Sequence, residues 1–395
     1  MKYVVLVGDG MADYPVDELG GRTPLEVARI PNMDDVTGRG QLGLVRTVPL
    51  GFTPASDVAL LSIFGYDPKR YYSGRAPMEA AQLGIKMGPE VVAFRCNLIT
   101  ADNGHITDYS AGHIGNSEAR DLIGFLGQQL GDEHVSFHAG VGYRHICVIG
   151  DIGLIKVDCT PPHDVIGEPV SENLPRGEGA ERLVRLIEDS YELLSKHDIN
   201  QARIERGENP ANMIWLWGQG QAHSLPSFRE RFGLDGGVIS AVDLVKGMAR
   251  LIGLEPIDVP GATGYYDTDY EAKARYALEC LDKEAFVLVH VEAPDEAGHN
   301  GDLGQKIKAI ENFDRYVVGT IKERVWRQPA FRMLVLPDHP TPLAVRTHTG
   351  DPVPFAWCGS GIEGDGVVSF NERNAAASAL QFVDGHELMP RFVKQ

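Results

Sequence analysis

Seven residues scattered over a chain of 395 are of the types that hold divalent cations and receive a phosphoryl group: Asp9, Ser56, Asp295, His299, Asp338, His339 and His348. Acids and imidazoles gathered with one serine point to phosphoryl transfer assisted by two metal ions. Two ligand sets can be drawn, Asp295, His299 and His348 in one, and Asp9, Ser56, Asp338 and His339 in the other. Mixed imidazole and carboxylate ligands suit Mn²⁺ or Zn²⁺, and the carboxylate-rich set leans to Mn²⁺; Mg²⁺ alone asks for more oxygen.

Such a site needs elements that deliver distant residues to one place. Five of the seven follow apolar, strand-like runs or open the helical run after one. The runs are Tyr3–Val7 before Asp9, Ala285–Val291 before Asp295 and His299, and Met333–Leu336 before Asp338 and His339. Open α/β sheets carry their chemistry in the crevice beyond the carboxyl ends of the strands. Strand-like runs alternate with helical patterns along the chain, the signature of an α/β domain. Ser56–Phe64 is expected to form a short buried helix. Residues 91–99 and 105–109 read as strands around an Asn103-Gly104 turn, a hairpin signal. Ser117–Leu130 and Glu178–Lys196 read as helices, Tyr143–Ile149 and Met213–Trp217 as strands, and Val238–Ile252 as a helix. Residues 1–85 and 172–395 are expected to form the main sheet with flanking helices, and 86–171 a smaller inserted α/β cap. All seven candidate ligands lie outside that insertion.

Composition narrows the partners. Lys and Arg number 37 against 55 Asp and Glu, a net charge of −18. Nucleic acid and anionic membranes need a basic face, so both are disfavoured. A small anionic substrate is compatible, provided metals and a few arginines reverse the local sign. The five cysteines are spread out and none forms a C-x-x-C pair, which fits a reduced cytosolic protein. No stretch approaches the ~20 apolar residues of a membrane span. The chain is expected to be soluble and cytoplasmic. Its oligomeric state is not legible.

Each candidate also has an ordinary reading. Asp295 and His299 are four apart, so a helix puts them on one face, yet such a pair is usually a surface pair or cap. Asp338-His339 could be a polar turn after a strand, His348 a solvated loop histidine, and Asp9 a turn residue between two glycines. A serine opening a helix is most often an N-cap, and alone that reading of Ser56 is favoured. A nucleophile there would instead gain from the helix N-terminus, which stabilises an attached phosphate. Joint occurrence of all seven is what favours the metal site.

The chain resembles the cofactor-independent phosphoglycerate mutases, in their archaeal-type branch, within the alkaline phosphatase superfamily. The resemblance covers essentially the whole length. It rests on VGDGMADYP (7–15), ASDVALLSIFGYDP (55–68), GGVISAVDLVKG (236–247), PGATGYYDTDYEAKA (260–274), VEAPDEAGH (291–299), LPDHPTP (336–342) and HTGDPVPF (348–355). It implies an alkaline-phosphatase-like core sheet with an inserted cap. It implies Asp295, His299 and His348 on one ion, with Asp9, Asp338, His339 and the nucleophile Ser56 on the other. Two divalent ions are implied, Mn²⁺ foremost, with Zn²⁺, Co²⁺ or Mg²⁺ as alternatives, and no 2,3-bisphosphoglycerate. Ser56 would take the phosphoryl group of a phosphoglycerate and return it to the other hydroxyl after the glycerate reorients. Lys273 resembles the family's lysine that steadies phosphate and nucleophile, although by itself it reads as an exposed helix lysine.

The resemblance implies a small phosphorylated anion as substrate, and bidentate arginine suits carboxylate and phosphate. Arg75, Arg144 and His163 match family positions, and His113 stands where archaeal relatives tend to carry arginine. The last three, Arg144, His163 and His113, lie in or near the insertion, which suggests a cap that closes over substrate and excludes water. Departures are Asp338-His339-Pro340-Thr-Pro for Asp-His-Ser-Thr-Pro, Tyr109-Ser-Ala-Gly-His113 for Arg-Arg-Ala-Gly-Arg, and Trp217-Gly-Gln-Gly for Arg-Gly-Ala-Gly. They place the chain near a bacterial subgroup for which homoserine kinase activity has been proposed. A homoserine kinase-like phosphotransferase and a metal-dependent phosphohydrolase are therefore the alternatives on the same site. No Gly-x-x-x-x-Gly-Lys-Ser/Thr loop occurs, which weakens a nucleotide-using kinase. A binding protein with a dead site would be expected to have lost a ligand, and all seven are present.

Overall fold

The computed structural model describes residues 1–221 and 225–394. In chain order its strands are β1 (Lys2–Gly8), β2 (Gln41–Val45), β3 (Val92–Asp102), β4 (His105–Asp108), β5 (Val135–Val141), β6 (Arg144–Ile149), β7 (Met213–Gln221), β8 (Gly236–Ile239), β9 (Glu255–Ile257), β10 (Phe286–Val291), β11 (Phe331–Leu336), β12 (Val353–Gly359) and β13 (Gln381–Phe382). The helices that support the site and the smaller sheet include α1 (Ser56–Ile63), α2 (Ala76–Gln82), α3 (Asn116–Leu130), α4 (Ala180–Leu194), α5 (Asp198–Glu205), α6 (Asp243–Leu251), α7 (Tyr270–Lys283), α8 (Ala293–Asn300) and α9 (Leu303–Asn312).

Two compact units result, Met1–Tyr72 with Leu225–Gln395, and Ser73–Ser224. The larger is built on an eight-stranded sheet of order β13-β2-β12-β11-β1-β10-β8-β9. Strands β11, β1, β10, β8 and β9 are parallel, and β12 runs antiparallel to both its neighbours. Parallel strands are covered on both faces, so they read as continuous apolar runs; Val4–Val7 and Phe286–Val289 are fully buried accordingly. Val7 lies opposite His290 in β10 and Leu336 in β11. The chain therefore leaves all three strands at the same level, and Asp9, Asp295 and Asp338 emerge at one edge.

The expected helix Val238–Ile252 is corrected. Val238 and Ile239 belong to β8, and the helix α6 starts at Asp243. The Phe286 carbonyl oxygen occupies the place a Cβ on Gly236 would need, so the glycines let β8 press against β10 while Val238 and Ile239 fill the sheet.

The smaller unit has a five-stranded sheet of order β4-β3-β6-β5, with β7 also paired to β3. The pairs are antiparallel. The Asn-Gly turn joins β3 to β4 as expected, with φ of 49° at Asn103 and 78° at Gly104. The unit extends beyond 86–171 on both sides, because its own sheet and core hold the flanking chain. β7 pairs along β3 from Val92 to Ile99, and Leu183, Ile187 and Leu194 of α4 share a core with Phe94, Leu98 and Trp215. Strand β5 and helix α5 were not among the expected elements. All five cysteines are unpaired thiols. No helix among the described residues is long and apolar enough to cross a membrane.

Candidate metal centre

Asp9 lies just past β1 and is 2 % exposed. Asp338 and His339 follow β11 and are fully buried. The Gly10 amide donates to Asp338 Oδ1 at 3.1 Å, and the His339 amide donates to the same oxygen at 2.8 Å. Gly10 has φ of 61°, and a Cβ there would sit 2.6 Å from both Asp295 Oδ1 and Thr341 Oγ1. Only glycine lets the backbone approach so closely. Helix α8 starts with Pro294 in its first turn and puts Asp295 and His299 on one face, with Oδ2 and Nε2 3.2 Å apart. His348 arrives from the loop before β12, its Nε2 3.5 Å from Asp295 Oδ1.

The side chains gather into two groups able to hold a cation, Asp295 with His299 and His348, and Asp9 with Asp338 and His339; in each, the ligand atoms lie within 4.8 Å of one another. Ser56 joins the second group through a contact of 3.1 Å between Oγ and His339 Nε2. The N-cap reading of Ser56 is corrected: the cap of α1 is Ala55, in extended conformation and without a side-chain bond. Ser56 is the first helical residue, and its hydroxyl is turned to the imidazole.

The imidazoles share one orientation. His299 Nδ1 lies 3.0 Å from the Arg346 carbonyl, His348 Nδ1 3.3 Å from the Pro54 carbonyl, and His339 Nδ1 3.3 Å from Thr341 Oγ1. Carbonyl oxygens only accept, so the Nδ1 atoms of His299 and His348 carry the proton. Their Nε2 lone pairs then point at the carboxylates, the arrangement that metal-ligating histidines adopt. His299 Nε2 and His348 Nε2 face each other at 2.9 Å, an opposition that a shared cation would relieve. Asp9 Oδ1 and Asp338 Oδ2 are buried without a hydrogen-bond partner among the described residues. Buried carboxylate oxygens are costly unless paired or coordinating, so these groups fit divalent cations.

The electrostatics agree. Burial, then the charges of Asp338 and Asp295, push the Asp9 carboxyl well above the usual range; bound cations would invert that. Asp338 goes the other way: burial opposes its charge, but the imidazole of His339 beside it and the neighbouring Asp9 carboxyl outweigh that. Lys273 is fully buried in α7 rather than exposed on its surface. Its Nζ donates to the His290 carbonyl at 3.1 Å, and burial pulls its pKa down to about 8, against the raising effect of Glu292. Glu292 itself is pushed up to about 8 by burial and then by Asp295.

The four residues expected to recognise substrate all lie in the smaller unit. His163 packs edge-on against Trp217, ring centroids 5.3 Å apart, and against Tyr109 at 6.1 Å. Tyr143 sits between Tyr109, His113 and the Arg144 guanidinium. His113 is exposed and held in the left-handed region at φ of 53°. Arg75 stands just before α2 without a side-chain capping bond and, with Arg144, contributes charge that disfavours ionised Arg95, whose pKa is lowered chiefly by burial. Arg95 stacks over Trp217 at 4.2 Å and pairs with Glu79 at 3.1 Å.

Arg95, His290 and Thr341 were not foreseen. A charged residue inside the apolar run VVAFRCNLI and a histidine inside FVLVHV are signals that could have found the first two. His290 lies fully within the core, its Nε2 3.1 Å from Asp9 Oδ2 and its Nδ1 3.3 Å from Ser240 Oγ.

A family model described as 2,3-bisphosphoglycerate-independent phosphoglycerate mutase matches residues 38–200. A 2,3-bisphosphoglycerate-independent phosphoglycerate mutase of Methanosarcina acetivorans is 52% identical over 397 residues, covering 100% of both chains. Among solved structures, the PH0037 protein from Pyrococcus horikoshii matches with a TM-score of 0.84 at 31% identity, over 99% of this chain and 96% of the other. The cofactor-independent phosphoglycerate mutase from Thermoplasma acidophilum matches with a TM-score of 0.68 at 28% identity, over 100% and 99% of the two chains.

Proposed function

The chain belongs to the 2,3-bisphosphoglycerate-independent phosphoglycerate mutases, and from that premise we propose that it interconverts 3- and 2-phosphoglycerate through phosphorylated Ser56. The observation that carries the reading is the contact of Ser56 Oγ with His339 at the edge of two adjoining ligand groups. Two divalent cations held by Asp295, His299 and His348 and by Asp9, Asp338 and His339 would lower the serine pKa and neutralise phosphoryl charge.

Ser56 Oγ forms the new bond to phosphorus as the bond to the substrate oxygen breaks, and the proton lost by the serine ends on that leaving oxygen as the free hydroxyl. Its place at the first turn of α1 puts the phosphoryl group against helix-end amides. Lys273, charged below about pH 8, stabilises the phosphoryl oxygens. The reverse step delivers the group to the other glycerate hydroxyl. Arg75, His113, Arg144 and His163, with Arg95 beside them, are assigned to the carboxylate and phosphate, which fork-shaped guanidinium groups bind well. The smaller unit that carries them is assigned the role of cap. Mn²⁺ is assigned as the metal, from the carboxylate-rich ligand set. The unpaired cysteines support a cytoplasmic location.

The test is ³¹P NMR of chelator-stripped protein given Mn²⁺ and 3-phosphoglycerate, without bisphosphoglycerate. A 2-phosphoglycerate resonance without inorganic phosphate is expected. Growth of free phosphate alone would make the protein a phosphohydrolase. An unchanged spectrum, followed by turnover of ATP and homoserine, would make it a kinase-like phosphotransferase.

A further inference from the structure

Asp295 and His339 belong to different ligand groups, and one hydroxyl touches both. Thr341 Oγ1 donates to Asp295 Oδ1 and lies 3.3 Å from His339 Nδ1. A hydroxyl has one proton to give, and an ionised carboxylate only accepts. With that proton committed to Asp295, the second contact runs from His339 Nδ1–H to Thr341 Oγ1. The chain of bonds therefore has a single direction, from imidazole to hydroxyl to carboxylate. It leaves the His339 Nε2 lone pair on the side where Asp338 Oδ2 lies at 3.4 Å, Asp9 Oδ1 at 3.5 Å and Ser56 Oγ at 3.1 Å.

Thr341 is itself held from several sides. It is fully buried. Its amide donates to the Ala12 carbonyl at 3.3 Å. Its carbonyl accepts from Lys306 Nζ at 2.7 Å, and that buried ammonium is paired with Asp13 Oδ2 at 2.7 Å. Gly10 and Gly298 make room for it: a Cβ on Gly10 would lie 2.6 Å from Oγ1, and one on Gly298 would overlap the Thr341 carbonyl and lie 2.8 Å from its methyl group. The hydroxyl is thus delivered to one place by a packed, ion-paired frame.

We propose that Thr341 is the positioning residue that ties the two cation sites together, fixing the His339 tautomer and the Asp295 carboxylate with one hydroxyl. The proposal rests on the two-cation reading above. Partners of this kind typically change metal affinity by roughly 10–100-fold when removed, and removal here acts on a ligand of each site at once.

The experiment titrates metal-stripped wild-type protein, Thr341→Val and Thr341→Ser with Mn²⁺ by equilibrium dialysis, counting ions and affinities, with kcat and KM measured alongside. Valine keeps the shape and loses the hydroxyl. Two ions in the wild type, a loss of roughly 10–100-fold in affinity at both sites in Thr341→Val, and restoration in Thr341→Ser are expected. Wild-type affinities in Thr341→Val, or weakening of one site alone, overturn the proposal while the two-cation reading stands. Fewer than two ions in the wild type overturns both. A second measurement needs no variant: in Zn²⁺-loaded wild-type protein with ¹⁵N-labelled histidine, a slowly exchanging proton on His339 Nδ1 is expected, and a rapidly exchanging one overturns the proposal.

Discussion

His299 Nε2 and His348 Nε2 face each other 2.9 Å apart, while each ring turns its Nδ1 to a backbone carbonyl. The carbonyls come from Arg346 and Pro54, so the tautomers are set by loops on either side of the site. Asp295 further pushes His299 up to about 9, which means that protons and cations compete for the same nitrogen. His299→Ala should lower bound metal from two ions to one and reduce turnover by roughly 100-fold or more, beyond the loss typical of an outer partner. Metal analysis by mass spectrometry and a mutase assay on the same sample check this. Full activity with a single ion would break the two-ion assignment.

Ser56→Ala separates nucleophile from ligand. The serine is one of several groups in the second ligand set, and it is the one assigned the phosphoryl group. Turnover should fall by on the order of 10⁴-fold or more, as when other nucleophilic serines are removed. Metal content should stay within about one ion of the wild type, since the carboxylates and imidazoles remain. Residual mutase activity at a tenth of the wild-type rate would sink the phosphoserine route.

The strand ends were legible because a buried parallel strand leaves an apolar run, and the residue just past it is at the sheet's chemical edge. Asp9 and Asp338 are found that way. Asp295 and His299 follow from helical spacing. His348 has no local pattern: it lies in a loop whose position is set by tertiary contacts, and only its residue type and the company of the other six candidates point to it. Ser56 taken alone reads as a cap, because the preference for serine at helix starts is strong, and the His339 imidazole that its hydroxyl meets belongs to a residue 283 positions away. Thr341 and Lys306 look like an ordinary turn residue and an ordinary helix lysine. Their roles depend on burial, and burial of a polar group is a property of the packed fold. The missed strand β8 has the same cause: Gly236-Gly237 looks like a break until the Phe286 carbonyl is seen pressed against it.

Gly10→Ala tests close approach directly. The backbone there has φ of 61°, and the added Cβ would lie 2.6 Å from Asp295 Oδ1 and 2.7 Å from the Asp295 Cα. The left-handed conformation alone costs about 1–2 kcal/mol for a residue with a Cβ. The overlap adds to that, because Asp295 is anchored in α8 and cannot retreat as a flexible chain end would. Urea unfolding of the metal-stripped protein should register a loss of at least about 1 kcal/mol, and the holoenzyme should retain less metal. Wild-type stability together with two tightly bound ions would remove the steric argument.

Lys273 makes the activity fall on the alkaline side. Burial lowers its pKa to about 8; Glu292 and Asp9 act to raise it and Lys246 to lower it further. A lysine is charged below its pKa, so the form able to stabilise phosphoryl oxygens is complete well below pH 8 and is lost as pH rises through that value. With bound cations lowering that pKa further, kcat/KM at saturating metal should therefore decline with a midpoint no higher than about 8. Lys273→Arg should move this decline out of the assay range, because guanidinium stays charged at any pH a protein survives, while running slower through poorer fit. Lys273→Met should be slow at every pH. An alkaline limb that stays in place in the arginine variant would assign it to another group and remove Lys273 from the phosphoryl-transfer step.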